Sequence, residues 1–170
     1  MNYEVAVAAA PRRPIAAVAI TTTWREFPGQ WRGMLDEVYA CLRQAGVGSG
    51  CNVMHYRDVP RPGGGGEGGQ GGAGGGGGGG GVAVAVGVEV GTPFPASGRV
   101  RASALPAGPA ARTTHRGRYE DLGAAHQAVL RWCAAHGRAV TGERWEVYGD
   151  WHEDPDQLET EVFYALDQAR

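Results

Sequence analysis

The chain has 170 residues, a length that fits one domain, and carries 16 arginines, no lysine and 18 acidic residues for a formal net charge of −2. A nearly neutral chain without a basic run is a poor match for a nucleic-acid backbone, and no stretch approaches the ~18 apolar residues of a membrane span. Cys41, Cys51 and Cys133 stand far apart with no CxxC spacing, so neither a disulfide framework nor a zinc site is suggested.

The start, Met1-Asn2-Tyr3-Glu4, lacks the basic region of a secretory signal. The expectation is a cytoplasmic protein without metal or cofactor, a monomer or weak dimer with no direct nucleic-acid or membrane partner.

In chain order, Pro14 to Thr23 is β-branched and alanine-rich and reads as a strand. Trp31, Met34, Leu35, Val38, Tyr39 and Leu42 fall at three-and-four spacing and end at Gly46, which predicts a helix with a glycine stop. Asn52 to Asp58 reads as a strand. Of the 30 glycines, 16 lie in the 19 positions Gly63 to Gly81. That run matches GxGxxG repeatedly, but no helix follows it and it has no GK[ST], so a mobile connector is expected rather than a phosphate loop. Val82 to Val90 then alternates valine with Ala83, Ala85, Gly87 and Glu89, as a strand with one apolar face does.

A second connector, rich in Ala, Gly and Pro, is placed at Ala104 to Ala111. The order then recurs: a strand at Ala111 to His115, a helix marked by Tyr119, Leu122, His126, Val129 and Cys133 and stopped by Gly137, and strands at Arg144 to Asp150 and Leu158 to Leu166. The halves also align, Asn52 to Asp58 against Arg144 to Asp150. The expected fold is α+β, with duplicated strand–helix–strand–strand units forming antiparallel sheet, both helices on one face and a ligand groove between pseudo-symmetric halves. Residues 1–170 form one domain on this reading. Segments 14–60 and 82–90 make the first unit, 61–81 a disordered polyglycine insertion and 110–166 the second unit.

If the valines face the helices, Ala83, Ala85, Gly87 and Glu89 face away, joined by Glu161 and Phe163. That surface of small residues and two glutamates resembles a groove floor. Trp145, Tyr148, Trp151, Phe163 and Tyr164 crowd the last 26 residues around Glu146 and Glu161. Were those acids to share a face, carboxylates among rings would suit a flat or cationic apolar ligand. A glutamate so enclosed could equally act as general acid or base, and the pattern does not separate the two roles. His126 fits packing better than ligation, and no HExxH or GxSxG appears.

Arg116-Gly117-Arg118-Tyr119 opening a helix, then Glu146-Val147-Tyr148, Pro155 and Thr160-Glu161-Val162, resemble the closing pattern of the GyrI-like small-molecule-binding domains. The resemblance is strongest over 110–166 and extends through the repeat to 14–90. The family includes stand-alone proteins and the effector-binding halves of AraC-type and MerR-type regulators. It implies a groove between two repeats, with Glu146 as pocket carboxylate, Tyr119 and Tyr148 as pocket rings and Glu161 as the glutamate of the last strand. Trp145, Trp151, Phe163, Tyr56 and Glu89 complete the expected ligand-binding set. Three functions are compatible with the resemblance. One is capture of an amphipathic, aromatic or cationic compound, as in drug or toxin resistance. The second is hydrolytic opening of strained cyclopropane rings of DNA-alkylating natural products, with Glu146 or Glu161 catalytic. The third is contact with gyrase. The chain departs from the family in its polyglycine tract, in Ala165-Leu166 where a proline is often found, and in Met54 where the first repeat would place a counterpart of Glu146. With no helix-turn-helix in these 170 residues, a regulator is not expected.

Overall fold

The computed structural model describes residues 2–59 and 81–168. The expected polyglycine insertion therefore lies outside the described residues, apart from Gly81. Among the described residues there are eight strands: β1 (Ala6–Ala10), β2 (Arg13–Thr22), β3 (Asn52–Asp58), β4 (Val82–Glu89), β5 (Arg101–Leu105), β6 (Gly108–Arg116), β7 (Val140–Tyr148) and β8 (Glu159–Leu166). Two helices, α1 (Trp31–Ala45) and α2 (Leu122–Ala135), follow β2 and β6. Strand, helix, strand, strand thus occurs twice, as expected. Gly46 closes α1 at φ 65°, a left-handed conformation in which glycine pays no steric penalty.

All eight strands form one antiparallel sheet in the order β1-β6-β8-β7-β3-β4-β2-β5. Cross-strand register aligns Val18, Val86, Met54, Glu146, Val162 and Thr113 in one row. Both helices pack on the face that carries this row. The valines of β4 join Met34, Val38 and Leu42 of α1 in one core, and Val162 and Tyr164 join Leu122, Ala125 and Val129 of α2 in another.

Two strands were absent from the sequence reading. Ala104 to Ala111, expected as a connector, contains the end of β5 and the start of β6. Both missed strands, β1 and β5, are alanine-rich, with Val7 as their single β-branched residue. They also change the shape of the molecule. β1 precedes β2 by two residues but pairs with β6, while β5 precedes β6 by two residues but pairs with β2. Each half therefore lends its leading strand to the other. In a flat sheet β1 and β2 would lie six strand spacings, about 29 Å, apart. Three peptide units reach at most about 11 Å, so the sheet must curl. Gly87 marks the tightest approach, since a Cβ there would come within 2.0 Å of the Ala16 carbonyl oxygen.

Curling folds the face opposite the helices onto itself. Ala10, Ile15, Leu105 and Ala110 from the sheet ends meet Trp145 and Phe163 from the middle in a third core. The small residues of β4 on this face are thus core packing, where the sequence reading placed a groove floor.

Candidate functional site

The groove lies on the helix face. It has a volume of about 950 Å³ and runs between α1 and the start of α2 over the central strands. From the first half, Trp31, Leu35 and Tyr39 of α1 form one wall, with Trp24 and Phe27 at its end. From the second half come Tyr119, Tyr148 and Trp151, while Met54 and Val86 contribute to the floor.

Local sequence sets these side chains. Thr23 and Glu26 exchange hydrogen bonds ahead of a single 3-10 turn at Phe27–Gly29, and Trp24 and Phe27 both pack on the ring of Tyr56. On the other side, His115 Nε2 contacts the Arg118 carbonyl oxygen at 2.8 Å, and the Gly117 amide donates to Leu158 at 3.0 Å. These bonds fix the turn that delivers Tyr119 edge-on to Tyr148, with centroids 5.6 Å apart.

Beneath the rings sits Glu146, 5% exposed. Its Oε2 accepts from the Tyr56 hydroxyl at 3.2 Å and from the Tyr148 hydroxyl, and its Oε1 lies 2.7 Å from His126 Nε2. The other nitrogen of His126 faces the Tyr164 hydroxyl at 2.8 Å. Burial, reinforced by the Glu146 charge, pushes the Tyr56 and Tyr148 phenols well above their ordinary range. They stay protonated and donate. A buried carboxylate held by oriented donors is charge fixed in place, and its field carries further in a low-dielectric site than in water.

Register locates this carboxylate on a symmetry element. Met54 pairs with Glu146, Asn52 with Tyr148 and Tyr56 with Arg144, so the repeated segments cross at the Met54–Glu146 pair. Tyr56 and Tyr148 are equivalents that converge on one acid. Likewise His126 and Leu35 each precede their capping glycine, Gly137 and Gly46, by eleven residues.

The structure divides the expected residues into three groups. Tyr119, Tyr148 and Trp151 border the groove, while Tyr56 and Glu146 lie beneath it. Trp145, Phe163, Glu161 and Glu89 lie on the other face of the sheet. There Trp145 and Phe163 stack at 5.2 Å inside the third core. Glu161 pairs with Arg112 at 2.9 Å, and Glu89 with Arg13 at 2.8 Å. The shared wall of Glu146 and Glu161 therefore does not form. Glu146 is level with Val162 across the strand pair, one position from Glu161, and one position inverts the face.

Trp24, Trp31 and Tyr39 border the groove in addition to the expected residues. A signal existed: Trp31, Leu35 and Tyr39 form a second stripe beside buried Met34, Val38 and Leu42, wider than one core contact needs. His126 is packed as expected, yet it is also bonded to the central acid.

An aromatic groove over a buried carboxylate, between two halves of one α+β sheet, defines a small-molecule-binding domain. The family model described as GyrI-like small molecule binding domain matches residues 77–167, and the chain belongs to this family. No match was found among curated protein sequences. Among solved structures, the C-terminal domain of EcmrR is similar at TM-score 0.75 and 16% identity, covering 99% of this chain and 100% of that one. SAV2435 bound to tetraphenylphosphonium is similar at TM-score 0.57 and 13% identity, covering 99% and 95%. A hydrolase from Listeria innocua is similar at TM-score 0.56 and 9% identity, covering 96% and 92%. At these identities the likeness is one of fold. None of the helices among the described residues is long and apolar enough to cross a membrane.

Proposed function

We propose that this protein captures an amphipathic, aromatic cation in the groove between α1 and the start of α2, with Glu146 as its counter-charge. The observation that carries the reading is a buried carboxylate held by Tyr56, Tyr148 and His126 directly under a ring-lined groove. Trp31, Tyr119, Tyr148 and Trp151 offer apolar area and ring faces for the ligand body, and the acid below favours positive charge. That SAV2435, a protein of this fold, has a structure bound to tetraphenylphosphonium supports the same reading. Binding of tetraphenylphosphonium, followed by quenching of tryptophan fluorescence, tests it. Trp24, Trp31 and Trp151 border the groove and should report the ligand, whereas Trp145 is buried on the far face. Absence of saturable quenching, or equal affinity for a neutral compound of the same shape, overturns the reading.

Hydrolysis is a second reading, favoured by the contact of Glu146 with the His126 imidazole, a pair able to hold and move a proton. In that case a candidate strained-ring compound would gain one water, and the gain would disappear in Glu146→Gln. Glu161, committed to Arg112 on the opposite face, has no part in either reading.

A further inference from the structure

Arg144 lies two residues from Glu146 on the same face of β7, about 7 Å along the strand. Its guanidinium carbon is 5.4 Å from the centroid of the Trp24 ring and 5.5 Å from that of Tyr56. Nη1 is 3.0 Å from Asp58 Oδ1, and the arginine side chain is only 12% exposed. Two rings and a carboxylate around a cation are the surroundings a ligand cation would seek. Here the chain's own residue occupies them.

The repeat makes this occupancy a point of difference. Tyr56 and Tyr148 are equivalents, but the ring of Tyr56 carries Arg144, whereas Tyr148 is bordered by Tyr119 and open groove. The repeat counterpart of Arg144 is Asn52, uncharged and hydrogen-bonded to the Tyr39 hydroxyl. Of two matching positions beside Glu146, one is filled by positive charge and the other is not.

We propose that Arg144 is a specificity-determining residue, a resident cation in the Trp24–Tyr56 cage that restricts the groove to ligands bearing a single positive charge. The inference rests on the cation-binding reading above and deepens it. A ligand's first charge is drawn to Glu146, while a second one placed a few ångströms further meets the guanidinium. Unlike a surface arginine, this one is enclosed, so salt screens it weakly.

The test compares hexyltrimethylammonium with hexamethonium, which share a six-carbon chain and differ by one quaternary charge, in titrations against the whole chain. The expected result is a preference of about tenfold for the monocation. Arg144→Met should erase or reverse it, mainly by tightening hexamethonium, and Arg144→Lys should retain it. Arg144→Asn, which copies Asn52, serves as a second neutral variant. Circular dichroism checks the folding of each. If the unmodified chain binds both compounds equally, or the folded neutral variants keep the preference, the selector is overturned while the groove reading stands. If the unmodified chain binds neither compound, the selector is overturned, and tetraphenylphosphonium quenching alone decides the groove reading. Unfolding of both neutral variants would give the guanidinium a purely structural role and overturn the proposal.

Discussion

The two halves share a backbone plan and differ in what they bring to their common axis. The first half presents Met54, with Leu35 at the position that matches His126. The second presents Glu146, bonded to His126. Both contribute a tyrosine to the same carboxylate. The difference teaches that one acid suffices where two would conflict. Met54 and Glu146 face each other directly across β3 and β7, and like charges directly opposite destabilise a strand pair. An asymmetric pair gives the site one fixed charge and an apolar neighbour, with the sulfur of Met54 3.2 Å from the Tyr56 hydroxyl.

Making the halves alike is the strongest way to break this arrangement. Glu146→Met removes the acceptor shared by Tyr56, Tyr148 and His126. Affinity for tetraphenylphosphonium should fall by about 100-fold in calorimetric titration, and stability by roughly 3 kcal/mol in urea unfolding, because buried donors lose their partner. The opposite substitution, Met54→Glu, sets two carboxylates across the axis. It should cost about 2 kcal/mol in urea unfolding.

A finer comparison uses the equivalent tyrosines. Tyr56→Phe and Tyr148→Phe each delete one hydrogen bond to the same oxygen, so both should lower stability by about 1 kcal/mol. Tyr148→Phe should weaken the ligand more, because Tyr148 borders the groove and Tyr56 lies under Trp24.

The smallest effect concerns a contact between the halves on the far face, His55 with Glu143 at 2.6 Å. Burial holds the His55 imidazole below its ordinary value of 6.5 against the opposing pull of Glu143. As pH falls the unfolded chain takes up this proton first. The stabilising contribution is therefore complete above about pH 6.5 and is lost on descent through the lower folded-state value. Urea midpoints between about pH 7 and pH 5 should fall less steeply in His55→Gln.

Much of this was legible in the chain, for reasons that differ by residue. Valine alternation in β4 and the glycines ending both helices state their structure locally, since strand period and left-handed caps are properties of a few adjacent residues. The Met54–Glu146 equivalence was visible because the repeated segments align. The partner of Glu146 was not. Glu161 was placed on the face away from the helices, where it lies; whether Glu146 shares that face depended on the register of β7 against β8, a long-range fact. The fate of Trp145 and Phe163 likewise depended on curling imposed by β1 and β5, two alanine-rich strands with almost no local signature.

The exchange of leading strands has a consequence for how the molecule comes apart. Without β1 the second half exposes an open edge at β6, and without β5 the first half exposes one at β2. Each repeat completes the other's sheet edge, so denaturation should proceed in one concerted transition. Separate pieces meeting between β4 and β5, near residues 92–96, should recover structure only when mixed.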